Sequence, residues 1–85
     1  MQVRIPTPLR SYTNAKVVEA NGATVAEVLD DLDRQFPGIR FRVIDEQGRL
    51  RTHMKVFIGN EMTRDVTTPI DSAAELTLMQ ALSGG

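Results

Sequence analysis

The stretch from Thr24 to Gly38 constrains the fold most, because it combines an apolar stripe of helical spacing with a start and a stop signal. Its apolar residues recur at i, i+3, i+4, i+7 and i+11, which places them on one face of a helix: Val25, Val28, Leu29, Leu32 and Phe36. Thr24 and Glu27 form a capping-box pattern at the start. Pro37-Gly38 ends the pattern, because a residue before proline avoids helical backbone. We therefore predict one amphipathic helix that needs an apolar surface to cover.

Short β-branched or alternating segments on both sides of this helix predict strands, and a sheet of such strands is the apolar surface that the helix covers. They lie at 2–5 and 16–20 before the helix, and at 41–44, 56–58 and 76–79 after it. The order predicts an α+β domain, in which one main helix packs on one face of a mixed sheet of four to five strands. With the first two strands as a hairpin, this is the outline of a β-grasp domain over residues 1–80, followed by a flexible tail at 81–85.

Composition limits what such a domain can do. The chain has 85 residues and no cysteine, which excludes disulfides, thiolate nucleophiles and cysteine metal sites. Its single histidine and unclustered carboxylates predict no metal site. A net charge of −1 argues against nucleic acid or an anionic membrane as a partner. No apolar run reaches the ~20 residues of a membrane span, and we expect a cytoplasmic protein.

The last two residues, Gly84-Gly85, follow the strand-like run at 76–79 and a short exit segment. At average glycine usage of ~7%, two terminal glycines arise in roughly 1 of 200 chains. Glycine lacks a Cβ, so such a tail is thin enough to enter a narrow active-site tunnel. Either the tail is a frayed chain end, or it delivers the carboxylate of Gly85 to another enzyme as a reacting group.

Three stretches, in this order along the chain, resemble the ubiquitin-like sulfur carriers of the MoaD/ThiS family. They are VRIPTPLR at 3–10, the helix region from GATV at 22–25 to FPGI at 36–39, and ELTLMQALSGG at 75–85. The segment 37–51 also resembles the longer carriers of the CysO/QbsE type. The resemblance covers most of the chain and implies a β-grasp, ubiquitin-like fold.

The resemblance implies a carrier and not an enzyme. In this family a ubiquitin-activating-type adenylyltransferase uses ATP to adenylate the C-terminal carboxylate, here that of Gly85. A sulfur donor then converts it to a thiocarboxylate, while Gly84 and Ser83 thread the partner's active site. ATP is used by the partner, and no cofactor is bound by the carrier itself. The sulfur passes to an acceptor enzyme, of cysteine-synthase-like type if the product is cysteine or a related sulfur metabolite.

Three alternatives stay open at this point. The chain is a carrier of the molybdopterin or thiamine pathway, or it is a ubiquitin-like modifier joined through Gly85 to lysines of other proteins. It is also compatible with a binding module whose tail is inert, since one fold supports many functions.

A carrier also needs a surface for its partners. Leu82, Met79 and Phe57 form the candidate docking patch, because exposed apolar groups mark interaction sites and methionine adapts to several partners. For Phe57 the alternative is burial in the core, which its place in a short strand favours.

The segment 40–55 is locally basic and contains Arg40, Arg42, Arg49, Arg51, His53 and Lys55. The last four recur every second residue, which on a strand places them on one face. Such a face is solvated, contacts an acidic partner enzyme, or binds nucleic acid, although few aromatic residues are present for base stacking. Asp30, Asp31 and Asp33 point in different directions around the helix, so we interpret them as a solvated face without a catalytic role.

Overall fold

A computed structural model describes residues 1–81 of the chain. Its strands are β1 (Gln2–Arg4), β2 (Val17–Glu19), β3 (Met54–Ile58), β4 (Glu61–Thr63) and β5 (Leu76–Gln80). Its helices are α1 (Arg10–Thr13), which follows a 3-10 turn at Thr7–Leu9, then α2 (Val25–Gln35) and α3 (Ile39–Val43). Among residues 1–81, the helices are all too short or too polar to cross a membrane.

The five strands form one mixed sheet in the order β2-β1-β5-β3-β4. β1 pairs antiparallel with β2 and parallel with β5, and β3 pairs antiparallel with both β5 and β4. Two hairpins therefore flank β5, the last strand along the chain and the central one in the sheet. This is the β-grasp arrangement, so the predicted α+β fold is confirmed.

Helix α2 has the predicted stripe and cap. Val25, Val28, Leu29 and Leu32 are fully buried against the inner face of the sheet, and Phe36 packs partly buried at its end. The Thr24 hydroxyl accepts a hydrogen bond from the backbone N–H of Glu27 at 3.3 Å. The amides of Val25 and Ala26 donate to the carbonyls of Thr68 and Val66, so the loop before β5 satisfies the first turn of the helix.

The strand predicted at 41–44 is wrong, because this segment forms helix α3 and the following bridge. One carboxylate oxygen of Asp33 accepts the amides of Gly38 and Arg40, each at 3.1 Å, and so caps the start of α3. Ile39 and Val43 are buried four residues apart, whereas Phe41 between them is 53% exposed. The apolar spacing is therefore that of a helix.

The sheet still has five strands because β4, which the sequence did not predict, takes the missing place. Ile58 pairs with Glu61 across the two-residue turn Gly59-Asn60. Gly59 has a φ of 59°, which glycine at the first central position of a hairpin turn adopts without strain.

Candidate functional site

The candidate site is the end of β5, where the chain leaves the sheet towards its terminus. β5 pairs with β3 over its whole length, and Met54 lies opposite Gln80 in the last pair. The backbone N–H of Ala81 then donates to the carbonyl of His53 at 2.8 Å, one residue beyond the strand. We call Gln80 and Ala81 the tail root. The central strand of the sheet thus holds the point from which the tail departs.

The predicted reacting and threading residues, Gly85, Gly84 and Ser83, lie outside the described residues, as does Leu82 of the predicted docking patch. The structure therefore places only the root of the tail. Met79 and Phe57 are the two members of the docking patch that it describes.

Met79 and Phe57 both lie on the face of the sheet opposite to α2. Along β3 and β5 the residues alternate, so Met54, Val56, Leu76 and Leu78 face the core while Lys55, Phe57, Thr77 and Met79 face outward. Phe57 pairs with Thr77 and Met79 pairs with Lys55, which makes Phe57 and Met79 diagonal neighbours. Met79 is 47% exposed.

Phe57 is half-buried and lies outside the core cluster, so the expectation that it belongs to the core is wrong. Its place in the alternation of β3 gives the reason, because Val56 and Ile58 are the residues that turn inward. Sequence reasoning also missed Met62 of β4, which pairs directly with Phe57 and is 54% exposed. Phe57, Met62 and Met79 form an apolar group on this outer face, which we call the outer patch.

The basic residues do not share a strand face as their spacing predicts. Only Lys55 lies in β3, whereas Arg49, Arg51 and His53 belong to the preceding loop. A turn at 52–53, closed by the hydrogen bond from the Met54 amide to the Arg51 carbonyl, separates Arg49 and Arg51 from β3. Arg40 and Arg42 lie on α3, so the basic residues are divided among a helix, a loop and a strand.

The acidic residues of α2 make structural contacts. Asp33 caps α3, as described above, and Asp30 lies 2.8 Å from the Nε of Arg40. Asp31 accepts the backbone amide of Asn21 at 2.9 Å. That bond, followed by the contact with Arg34, holds the pKa of the Asp31 carboxyl below its ordinary value.

Two further carboxyls have lowered pKa values, and both belong to turns. The backbone amide of Arg49, and next that of Gln47, lower the pKa of Asp45. The hydroxyl and the backbone amide of Thr67 lower the pKa of Asp65. These bonds fix loop conformations, since each acceptor is paired within its own turn. Among residues 1–81, no group of three His, Cys, Asp or Glu side chains is placed to hold a metal ion.

Comparisons with known proteins agree on one family and one fold. The ThiS family model matches residues 3–85. The sulfur carrier protein CysO of Mycobacterium tuberculosis is 33% identical, over 98% of this chain and 96% of that protein. A chain in the crystal structure of the Amycolatopsis orientalis BexX/CysO complex superposes with a TM-score of 0.91 at 35% identity, covering 99% of this chain and 98% of that one. The crystal structure of SAMP1 from Haloferax volcanii superposes with a TM-score of 0.80 at 27% identity, covering 100% and 98% of the two chains.

Proposed function

Because this chain belongs to the ThiS family, we propose that it is a sulfur carrier whose C-terminal carboxylate, on Gly85, is converted to a thiocarboxylate. The carrier is the substrate of its partner enzymes and not itself a catalyst. The observation that carries the proposal is that the family match runs from residue 3 to residue 85 and so includes both terminal glycines.

The chemistry needs activation because a carboxylate is a poor electrophile at neutral pH. In the first step a carboxylate oxygen of Gly85 attacks the α-phosphorus of ATP, which forms an acyl adenylate and releases pyrophosphate. In the second step a sulfide-level sulfur donor attacks the acyl carbon, and AMP leaves. The product is a thiocarboxylate whose sulfur is nucleophilic and can be transferred to an acceptor. Both steps take place in the active site of an adenylyltransferase of the ubiquitin-activating type.

The chain itself contributes a fixed starting point for the tail and a tail narrow enough to enter an active site. Since β5 is the central strand and Ala81 is bonded to His53, the tail starts from a fixed point on the domain. Gly85 lies four residues beyond that point. Fully extended, four residues span at most about 14 Å. The partner's catalytic centre must therefore lie within that distance of Ala81, and its surface must contact the domain around the tail root.

The outer patch supplies an apolar surface for that contact. Met62 and Met79 are about half exposed, and both flank the half-buried ring of Phe57. Exposed apolar groups on a small domain are typical of interaction sites. Methionine adapts its shape to different partners, which suits a carrier that meets the activating and the accepting enzyme in turn.

For the acceptor, we propose an enzyme that makes cysteine or a related sulfur metabolite. The likeness over nearly the whole chain to proteins described as CysO supports this choice over a molybdopterin or thiamine pathway. An acceptor of this type presents an electrophilic carbon to the thiocarboxylate sulfur, and later hydrolysis of the acyl–sulfur bond by water returns the Gly85 carboxylate and releases the product as a thiol.

A second function, conjugation of Gly85 to lysines of other proteins, is favoured by one observation. The fold also matches a protein described as small archaeal modifier protein 1, with a TM-score of 0.78 at 25% identity. Both functions begin with the same adenylate, and they diverge in whether sulfide or a lysine amine attacks the acyl carbon.

The test is the intact mass of the chain after incubation with ATP, a sulfide source and the adenylating enzyme of the host. We expect the mass increase of sulfur replacing one oxygen on the full-length chain and none on a variant that lacks Gly85. Gly84→Val should also stay unmodified, because its side chain obstructs the tunnel. Higher-mass conjugates that resist thiol reagents would favour the modifier. An unmodified wild-type chain, with an enzyme that is active on another carrier, would overturn both functions.

A further inference from the structure

A cleft of about 320 Å³ opens beside the end of β5 and is rich in basic side chains. Helix α3 contributes Phe41 and Arg42, the segment before β3 contributes Arg51 and His53, and Gln80 closes the side at the tail root. The rest of the lining is apolar. We call this the basic cleft.

The basic cleft and the tail root are joined through the backbone. His53, which lines the cleft, accepts a hydrogen bond from the backbone N–H of Ala81 on its own backbone carbonyl at 2.8 Å. An enzyme that takes up residues 82–85 comes within about 14 Å of Ala81 and so has this cleft within reach of its surface.

Arg51 is held in place before any partner arrives. Its Nε donates to the carbonyl of Phe41 at 2.7 Å, and its guanidinium carbon lies 4.5 Å from the centre of the Phe41 ring. These contacts use one donor and leave the terminal nitrogens of the guanidinium for a ligand. A guanidinium fixed in this way loses little conformational entropy when it binds a carboxylate.

The charge of the cleft is offset only in part within the described chain, where the carboxylate of Asp45 attracts Arg51 without forming an ion pair with it. The ion pairs among residues 1–81 join Arg4 to Glu75, Arg34 to Asp31, Arg40 to Asp30 and the N-terminus to Glu19. Arg42 and Arg51 take part in none of them. Since the whole chain has a net charge of −1, the positive charge at the tail root is a local feature.

We infer that the basic cleft binds an acidic segment of the enzyme that activates Gly85, an inference that rests on the proposed function. A carboxylate fits the paired donors of a guanidinium, and such bonds are stronger than those between neutral groups. The exposed ring of Phe41 offers an apolar surface to a residue beside that carboxylate. Nucleic acid is the weaker fit, because Phe41 is the one aromatic side chain in the lining and base stacking uses several.

The experiment measures the dissociation constant of the carrier and the adenylating enzyme for three charge reversals. Arg42→Glu is the main variant, since among residues 1–81 its side chain makes no hydrogen bond or ion pair that the fold would lose. Arg51→Glu is the second. Lys16→Glu is the matched control, because Lys16 is exposed and lies outside the cleft lining.

We expect each cleft variant to weaken binding about tenfold and to slow association, as loss of electrostatic complementarity does. We expect the control to stay within about twofold of wild type by the same reasoning. The difference should largely vanish near 1 M salt, where the Debye length is about 3 Å. A glutamate-to-lysine change in the enzyme's acidic segment should restore the binding of Arg42→Glu.

Three results would overturn the inference: cleft variants that bind like Lys16→Glu, a wild-type chain that does not bind the enzyme, or tight binding of a single-stranded oligonucleotide that Arg42→Glu abolishes. The proposed function is assessed separately by the mass of the wild-type product. If the chain binds in a salt-sensitive way but forms no thiocarboxylate, the role of the basic cleft is supported and the sulfur-carrier chemistry is contradicted. If thiocarboxylate forms but the cleft variants bind like wild type, the chemistry is supported and the role of the cleft is contradicted.

Discussion

The backbone N–H of Ala81 lies 2.8 Å from the carbonyl oxygen of His53 and donates a hydrogen bond to it, so the pairing of β5 with β3 continues one residue past the last strand residue. This bond is the last link of the described chain to the sheet. It fixes where the tail begins and ties that point to the basic cleft.

Ala81→Pro tests this link, because proline has no amide to donate. We expect it to lower the free energy of unfolding by about 1 kcal/mol, the typical net contribution of one hydrogen bond. Ala81→Ser keeps the amide and is the control. Urea unfolding of both variants measures the difference, and equal stabilities would show that the bond contributes nothing to the fold.

Gly22 sits where any side chain meets the backbone of α2. A Cβ on Gly22 would lie 2.5 Å from the nitrogen of Val28 and 2.7 Å from the carbonyl carbon of Glu27. We expect Gly22→Ala to cost about 2–3 kcal/mol, since these backbone atoms cannot move aside without displacing the helix.

Gly48→Ala is the comparison for that clash. A Cβ there meets no atom within 4 Å, but the φ of 78° is unfavourable for alanine. We expect a cost of about 1 kcal/mol from the backbone alone. Thermal or urea unfolding ranks the two variants. If Gly22→Ala were no less stable than Gly48→Ala, the result would contradict a steric cost at Gly22.

The helix α2 was predictable because all its signals are local. The stripe from Val25 to Leu32 and the cap at Thr24 lie within one continuous segment and indicate the same structure. The strands β1, β2, β3 and β5 were also predictable in place, since each is a short β-branched or alternating run.

Helix α3 was missed because the strand-like composition of the segment outweighed the helical spacing of its two buried residues, Ile39 and Val43. The run from Phe41 to Ile44 has strand-like composition, and its helical form depends on the Asp33 carboxylate that caps it. β4 is equally hard to predict, since Glu61–Thr63 has one apolar residue and acquires its strand form from pairing with β3. Because β4 was missed, Met62 was missed from the outer patch as well.

Asp33→Ala tests the cap of α3. We expect a loss of about 1 kcal/mol in unfolding free energy, the usual cost of losing a capping side chain. Asp33→Asn keeps an oxygen acceptor and should lose less. Asp30→Ala is the control on the same helix, because it removes only a surface ion pair with Arg40, worth about 0–1 kcal/mol. Unfolding followed by circular dichroism measures all three, and a larger loss in Asp30→Ala would contradict the capping role.

Stability should fall on acidification, in part through Asp45. Its pKa is lowered in the folded chain, mainly by the amide of Arg49, so the unfolded chain takes up the proton first as the pH falls. The stabilisation is therefore complete above the unfolded pKa and is lost as the pH drops through the folded pKa, which lies on the acid side of the ordinary aspartate value.

Asp45→Asn keeps the shape of the side chain and removes its titration. We expect it to be less stable than wild type at pH 7 and to approach wild type at low pH, where the wild-type carboxyl is protonated. Glu46→Gln in the same turn is the control. Melting temperatures measured across this pH range give the comparison, and a difference from wild type that does not depend on pH would contradict the assigned role of the ionised carboxylate.

Variants of the outer patch test whether the adenylating enzyme also docks through apolar contacts. Such contacts can be distinguished from the electrostatic contact of the basic cleft. Met62→Gln and Met79→Gln change polarity with little change in size or charge, on side chains that are 54% and 47% exposed. We expect each to weaken binding to the adenylating enzyme by about 1 kcal/mol, as truncation of a central interface residue does. Neither should change the melting temperature, because neither side chain belongs to the core.

Ser72→Gln, on the exposed turn before β5, is the control. Unlike the cleft variants, the methionine variants should stay weakened at high salt, since the hydrophobic contribution is not screened. Wild-type affinity in both variants would mean that the enzyme contacts the domain through the tail root and the basic cleft and leaves this face of the sheet free for another partner.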